Sequence, residues 1–136
     1  LDGEKMSKSL GNLIFARDAL QIHHPDAIRW YLLSEHYRED FDYRRDAVAR
    51  YEQYAADLRR ALTINSGDHS SLDVSRGRAD VIAAMDDDLD TPAALATLHT
   101  MAGMIIDAAA EGRDVSAAQA IVRDLATMMG FTLRAP

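Results

Sequence analysis

The chain has 136 residues, enough for one ordinary domain or two small ones. With 48% hydrophobic and 27% charged residues it falls near the globular average, which excludes a wholly disordered tail, a collagen and a low-complexity linker. It has no cysteine, so it holds no disulfide framework and no thiolate metal site. The net charge is −7 and unevenly spread: residues 1–60 carry ten basic and eleven acidic groups, residues 61–136 five and eleven. A whole-surface nucleic-acid binder is basic, so any RNA contact must come from local patches in the first half. No basic region followed by an apolar stretch opens the chain, and no apolar run approaches the ~20 residues of a membrane span. The expectation is a soluble, cytoplasmic protein with no membrane partner. Because the sequence starts at Leu1, it reads as processed or as a piece of something longer.

Residues 1–12, with two Gly, two Ser and an Asn, read as an exposed loop. Leu13 to Phe15 is a short apolar run, strand or helix entry, and Arg17 to Ile22 forms one or two helical turns. Pro25 suits the first position of a helix, and Asp26 is favourable at its positive end. Ala27, Ile28, Tyr31 and Leu32 then recur at helical spacing, broadened by Trp30 and Leu33, to an end near His36. Phe41 and Tyr43 alternate with charges, as in a short extended piece. Val48, Tyr51, Ala55, Leu58 and Leu62 mark one face of a long amphipathic helix. Residues 65–75 are the best linker candidate.

Val81, Met85 and Leu89 mark the next helix. Thr91 and Pro92 open another, with Thr91 as cap. Its face is Leu95, Leu98, Ala102, Ile105 and Ala109, and Gly112 closes it. Ser116 with Gln119 reads as a capping box for a last helix carrying Ala118, Ile121, Val122, Leu125 and Met128. Gly130 ends that helix. The fold class is mainly α: a small unit with at most short strands over 1–44, then an antiparallel helical bundle over 45–136.

One stretch carries chemistry. The fifteen basic residues comprise thirteen Arg and two Lys, and both lysines, Lys5 and Lys8, sit on one glycine-flanked loop with Ser7 and Ser9. Compact ammonium groups and hydroxyls on such a loop can close over a polyphosphate. They stabilise charge building on a leaving pyrophosphate more than they stabilise the ground state. For a generic pair of lysines at this spacing, a solvated loop is the plainer reading.

The wording is more specific than the spacing. Lys5-Met6-Ser7-Lys8-Ser9 is identical to the KMSKS signature of class I aminoacyl-tRNA synthetases. Its flanks, Gly3-Glu4 and Leu10-Gly11-Asn12, resemble those of the cysteinyl-tRNA synthetases. Asp26-Ala27-Ile28-Arg29 resembles the DALR signature of helical anticodon-binding domains. Leu32-Leu33-Ser34 with His36-Tyr37-Arg38, and Met85 through Pro92, resemble the cysteinyl pattern too. The resemblance implies a C-terminal portion of such an enzyme: an ATP loop, a stem-contact unit and a tRNA-binding bundle. It implies that Lys8 binds ATP and stabilises the transition state of adenylate formation, that Lys5 supports it, and that Met6, Ser7 and Ser9 shape loop closure. The implied partners are ATP and tRNA(Cys).

In that family the nucleotide-binding fold with its HIGH signature, and a cysteine-ligated zinc, lie upstream of KMSKS. No HIGH-like string occurs in this sequence; His23-His24-Pro25-Asp26 has other letters. The expectation is therefore no metal in this chain and no cysteine activation by this chain alone. Two further readings stand beside the first: the related ligase that joins cysteine to an amino-sugar in mycothiol synthesis, and a non-catalytic module binding tRNA or protein.

The remaining candidates have plainer readings. Asp86, Asp87, Asp88 and Asp90 suit helix capping better than a divalent cation. His23 and His24 suit a turn, and His36, His69 and His99 stand isolated. Met101, Met104, Met128 and Met129 suit a core, as do Trp30 and Tyr31. Arg44, Arg45, Arg50, Arg59 and Arg60 are the candidates for contacts to a tRNA backbone.

Overall fold

A computed structural model describes residues 23–34, 45–87 and 90–134, with the side chains of 45–47 excepted. The expected loop at 1–12, the elements at 13–22, the extended piece around Phe41 and Tyr43, and His36, Asp88 and Leu89 lie outside these residues. The described part is mainly helical: α1 Pro25–Ser34, α2 Arg45–Thr63, α3 Ser75–Asp86, α4 Thr91–Ala110 and α5 Ser116–Met128. Two short strands, β1 His69–Ser71 and β2 Arg113–Asp114, pair in parallel with His69 opposite Arg113 and Ser71 opposite Asp114.

The helical periodicity drives the packing. Val48, Ala55, Leu58 and Leu62 of α2 are buried, and Tyr51 packs against them. Leu95, Leu98, Met101, Ala102 and Ile105 form the buried stripe of α4, which contacts each of the other four described helices. α4 is twenty residues long and, by length and composition, apolar enough to cross a membrane. That corrects the expectation that no apolar stretch of that length exists. Thr, His, Gly and Asp107 break the run in the letters, while Ala, Leu, Met and Ile dominate the helix as a whole. Its apolar stripe is the centre of the core. Trp30 of α1 belongs to that same core, as do Phe131 and Met129 beyond α5.

Several local expectations change. Residues 65–75 are more than a linker: they hold β1, and Leu72 and Val74 are buried. Asp90, not Thr91, caps α4 by accepting from Ala93 N at 3.2 Å. The Thr91 hydroxyl instead donates to the Leu33 carbonyl at 2.7 Å, tying α4 to the end of α1. Ser116 and Gln119 form no capping box. Ser116 is the first residue of α5, and Gln119 donates to the Ala61 and Ile64 carbonyls at 2.9 and 2.8 Å, satisfying the C-terminal end of α2. Leu32, Met104 and Met128 are exposed, whereas Met101 and Met129 are buried. Gly112 and Gly130 do close their helices, with φ of +78° and +92° in the left-handed region that glycine enters freely.

Candidate functional site

Proline starts α1 and leaves His24 and Asp26 facing the end of the chain. Asp26 is 1% exposed, the one buried charged side chain among the described residues. Its Oδ1 accepts from Thr132 N at 2.7 Å and Thr132 Oγ1 at 3.0 Å, and its Oδ2 accepts from Leu133 N at 2.8 Å. A carboxylate buried at this depth requires such donors, and here it has three. His24 accepts from Asp26 N at Nδ1, 3.0 Å, and donates from Nε2 to the Arg134 carbonyl, 2.7 Å. One neutral tautomer satisfies both bonds. His23 pairs with Glu52 of α2. The sequence suggests a turn for the two histidines; His23 sits at a bend and His24 directly before α1, its carbonyl accepting from Ala27 N, and their side-chain partners and those of Asp26 are not visible in the sequence.

An aromatic cleft lies beside this clasp. Trp30, Ser34, Tyr51, Tyr54, Pro92, Leu95, His99 and Thr100 line a cavity of about 380 Å³. The Trp30 ring centroid sits 5.6 Å from Tyr54, 6.0 Å from His99 and 5.4 Å from Phe131, all inclined rather than parallel. Tyr54 and His99 lie 4.2 Å apart, and Tyr31 stacks on Tyr51 at 5.4 Å. His99 Nε2 is 3.4 Å from Asp57 Oδ2. His99, isolated in the sequence, thus has two rings and a carboxylate as neighbours.

At the other end of the bundle two exposed turns repeat one tripeptide. Asp73-Val74-Ser75 opens α3 and Asp114-Val115-Ser116 opens α5, each with its valine buried. Asp73 accepts from Ser75 N at 2.9 Å, and Asp114 accepts from Ser116 Oγ at 2.7 Å, Ser116 N at 3.0 Å and Ser66 Oγ at 3.0 Å. The Ser116 hydroxyl, then its amide and the Ser66 hydroxyl, hold the Asp114 carboxyl below its ordinary value of 3.8. The amide and hydroxyl of Ser75 lower that of Asp73.

The residues expected to carry chemistry, Lys5, Met6, Ser7, Lys8 and Ser9, lie outside the described residues. So do Arg44 and the side chain of Arg45. Arg50 and Arg60 are exposed, whereas Arg59 is half-buried, its Nη1 without a hydrogen-bond partner among the described residues. Of the acidic run, Asp90 caps α4 and Asp87 ends α3. Among the described residues no three His, Asp or Glu side chains gather as metal ligands, and the chain has no cysteine.

Comparison with known proteins accounts for the stretch that the geometry leaves out. Residues 1–53 match the catalytic domain of class I (C) tRNA synthetases, and residues 80–134 match the DALR domain. The cysteine–tRNA ligase of Klebsiella pneumoniae (strain 342) is 37% identical over 142 aligned residues, covering 100% of this chain and 30% of that protein. The chain belongs to the cysteinyl-tRNA synthetase family. It corresponds to a C-terminal portion of these enzymes. The cysteine–tRNA ligase of Hydrogenovibrio crunogenus is 38% identical over 75% of this chain and 22% of its own length. The L-cysteine:1D-myo-inositol 2-amino-2-deoxy-alpha-D-glucopyranoside ligase of Streptosporangium roseum is 40% identical, over 92% of this chain and 29% of its own length.

The chain thus spans under a third of the curated relatives it matches. The DALR match begins well after Asp26-Ala27-Ile28-Arg29; that tetrapeptide falls inside the catalytic-domain match. Asp26 therefore bonds across from one matched segment to the last residues of the other.

Proposed function

We propose that this chain supplies the ATP-closing loop and the helical RNA-binding region of an enzyme that activates cysteine with ATP and transfers it to tRNA(Cys). The observation that carries the reading is the order of the two matches on one chain: a catalytic-domain segment containing Lys5-Met6-Ser7-Lys8-Ser9, followed by a DALR segment. In the first step the cysteine carboxylate attacks the α-phosphorus of ATP, a new P–O bond forms, and pyrophosphate leaves with the electrons of the broken one. Lys8 and Lys5 neutralise charge on that leaving group, and Met6, Ser7 and Ser9 shape the loop that brings them there.

In the second step a terminal ribose hydroxyl of the tRNA attacks the cysteinyl carbonyl carbon. AMP leaves with the electron pair, and the hydroxyl proton passes to solvent. Residues 1–44 form the ATP loop and stem-contact unit in this reading, and residues 45–136 the tRNA-binding bundle, with Arg50 and Arg60 as phosphate contacts. The protein acts in the cytoplasm. The chain alone does not activate cysteine.

In the full-length protein, Lys8→Ala lowers cysteine-dependent ATP–pyrophosphate exchange by about 10²-fold. An exchange rate equal to wild type overturns the role of Lys8.

The Streptosporangium relative, as similar as the tRNA ligases, supports a second reading in which the activated cysteine goes to an amino-sugar. The acidic second half of the chain favours an acceptor without a phosphate backbone. Supplying each acceptor in turn to the full-length protein separates the two: charged tRNA supports the first reading, amide formation with the amino-sugar the second.

A further inference from the structure

His24, Asp26 and Arg29 sit on the first turn and entry of α1, inside the segment that matches the catalytic domain. The partners of His24 and Asp26 are the last described residues of the segment that matches the DALR domain. His24 holds the Arg134 carbonyl, and Asp26 holds the amides of Thr132 and Leu133 and the Thr132 hydroxyl. The Arg29 guanidinium lies so close over Gly130 that a Cβ there would come within 2.6 Å of its Nη2. Leu133 has φ +59°, a left-handed conformation uncommon for a leucine, and its amide donates to Asp26 Oδ2. Phe131, between these residues, is buried against Trp30. Residues 130–134 are therefore gripped at successive positions by one helix turn more than a hundred residues earlier.

We infer that His24 and Asp26 form a latch that fixes the DALR-matched bundle against α1 of the catalytic-matched segment. Asp26 is thereby a positioning residue for transfer to tRNA rather than for cysteine activation. This rests on the tRNA reading proposed above. Adenylate formation joins two small molecules and needs no held RNA. Transfer needs an RNA gripped by the bundle to arrive with its end at the active site, and misplacement by about 1 Å costs as much as 10²-fold in such steps. The chain connects the two segments through α2 and α3, and the latch closes the loop from the other side.

The test uses the full-length protein with cysteine, ATP and tRNA(Cys). Asp26→Asn keeps the shape of the side chain but turns an N–H₂ toward the amides it held. The expected result is pyrophosphate exchange within about twofold of wild type and kcat/KM for tRNA charging lower by about tenfold or more. Thr132→Val, which removes the hydroxyl's bond to Asp26 and the longer one it accepts from Arg134 N at 3.3 Å, at an exposed position, gives a loss of about threefold in charging. Thr132→Ser, which keeps both bonds, restores it. Exchange and charging that fall together in Asp26→Asn and in Thr132→Val mark a contact for stability alone and overturn the inference. Charging unchanged in both variants also overturns it. A wild-type protein that exchanges pyrophosphate but charges no tRNA defeats the tRNA reading itself, and the inference with it; that failure shows before any variant is made.

Discussion

Two ends of the bundle use the same chemistry in opposite settings. At the latch, Asp26 is buried and its acceptors are filled by donors 106 and 107 residues away. At the paired strands, Asp73 and Asp114 take up the amides of serines two residues on, with solvent close by. A carboxylate receiving backbone N–H groups does the same local job in all three. What differs is the alternative on offer when the bond breaks. Water replaces Asp114 or Asp73 as partner at once, whereas the buried Asp26 carboxylate has no solvent to turn to when its donors leave. Burial, not bond count, makes the first interaction structural and the second adjustable.

The sharpest way to break the contrast is Asp26→Ala. It leaves the Thr132 and Leu133 amides without an acceptor beside a buried core, and the expected loss is about 3 kcal/mol of stability, read as a shift of the urea midpoint. Gly130→Ala tests the same end more gently. The new methyl must occupy φ +92° and displace the Arg29 guanidinium, for an expected loss of about 1–2 kcal/mol in the same measurement.

The smallest effect is at the strand end and is a matter of pH. The folded-state carboxyls of Asp114 and Asp73 lie below their ordinary 3.8, so the unfolded chain binds more protons than the folded one as the solution turns acid. Their contribution is complete above that ordinary value and is lost as pH falls through the folded-state values. Asp114→Asn is expected to flatten the acid limb of the midpoint-against-pH curve and to leave the neutral plateau little changed.

The same contrast separates what was legible in the sequence from what was not. Periodicity placed α2, α4 and α5 and most of their buried faces, because the spacing of Val48, Leu58, Leu98 and Val122 is set by the helix itself. Pro25 marked the start of α1, and the letters of Lys5 through Ser9 pointed to the family. The partners of Asp26 were illegible, since an acidic residue at a helix start has an adequate local explanation in the helix dipole. Gln119 misled for a similar reason: Ser116 three residues before it fits a local cap, while the actual acceptors are carbonyls ending α2. Thr91 and His99 likewise turned on neighbours that only the fold supplies. Met104 and Met128 satisfied the apolar pattern at the margin of a helix face, where composition does not say which side meets water.

Amide hydrogen exchange compares the two ends directly within one molecule. The Thr132 and Leu133 amides, held by buried Asp26, should exchange only with the global opening that releases core amides such as that of Leu98. The Ser75 and Ser116 amides, held by Asp73 and Asp114 at the surface, should exchange through faster local opening. Exchange at Thr132 and Leu133 as fast as at Ser75 and Ser116 would contradict the claim that the latch belongs to the core.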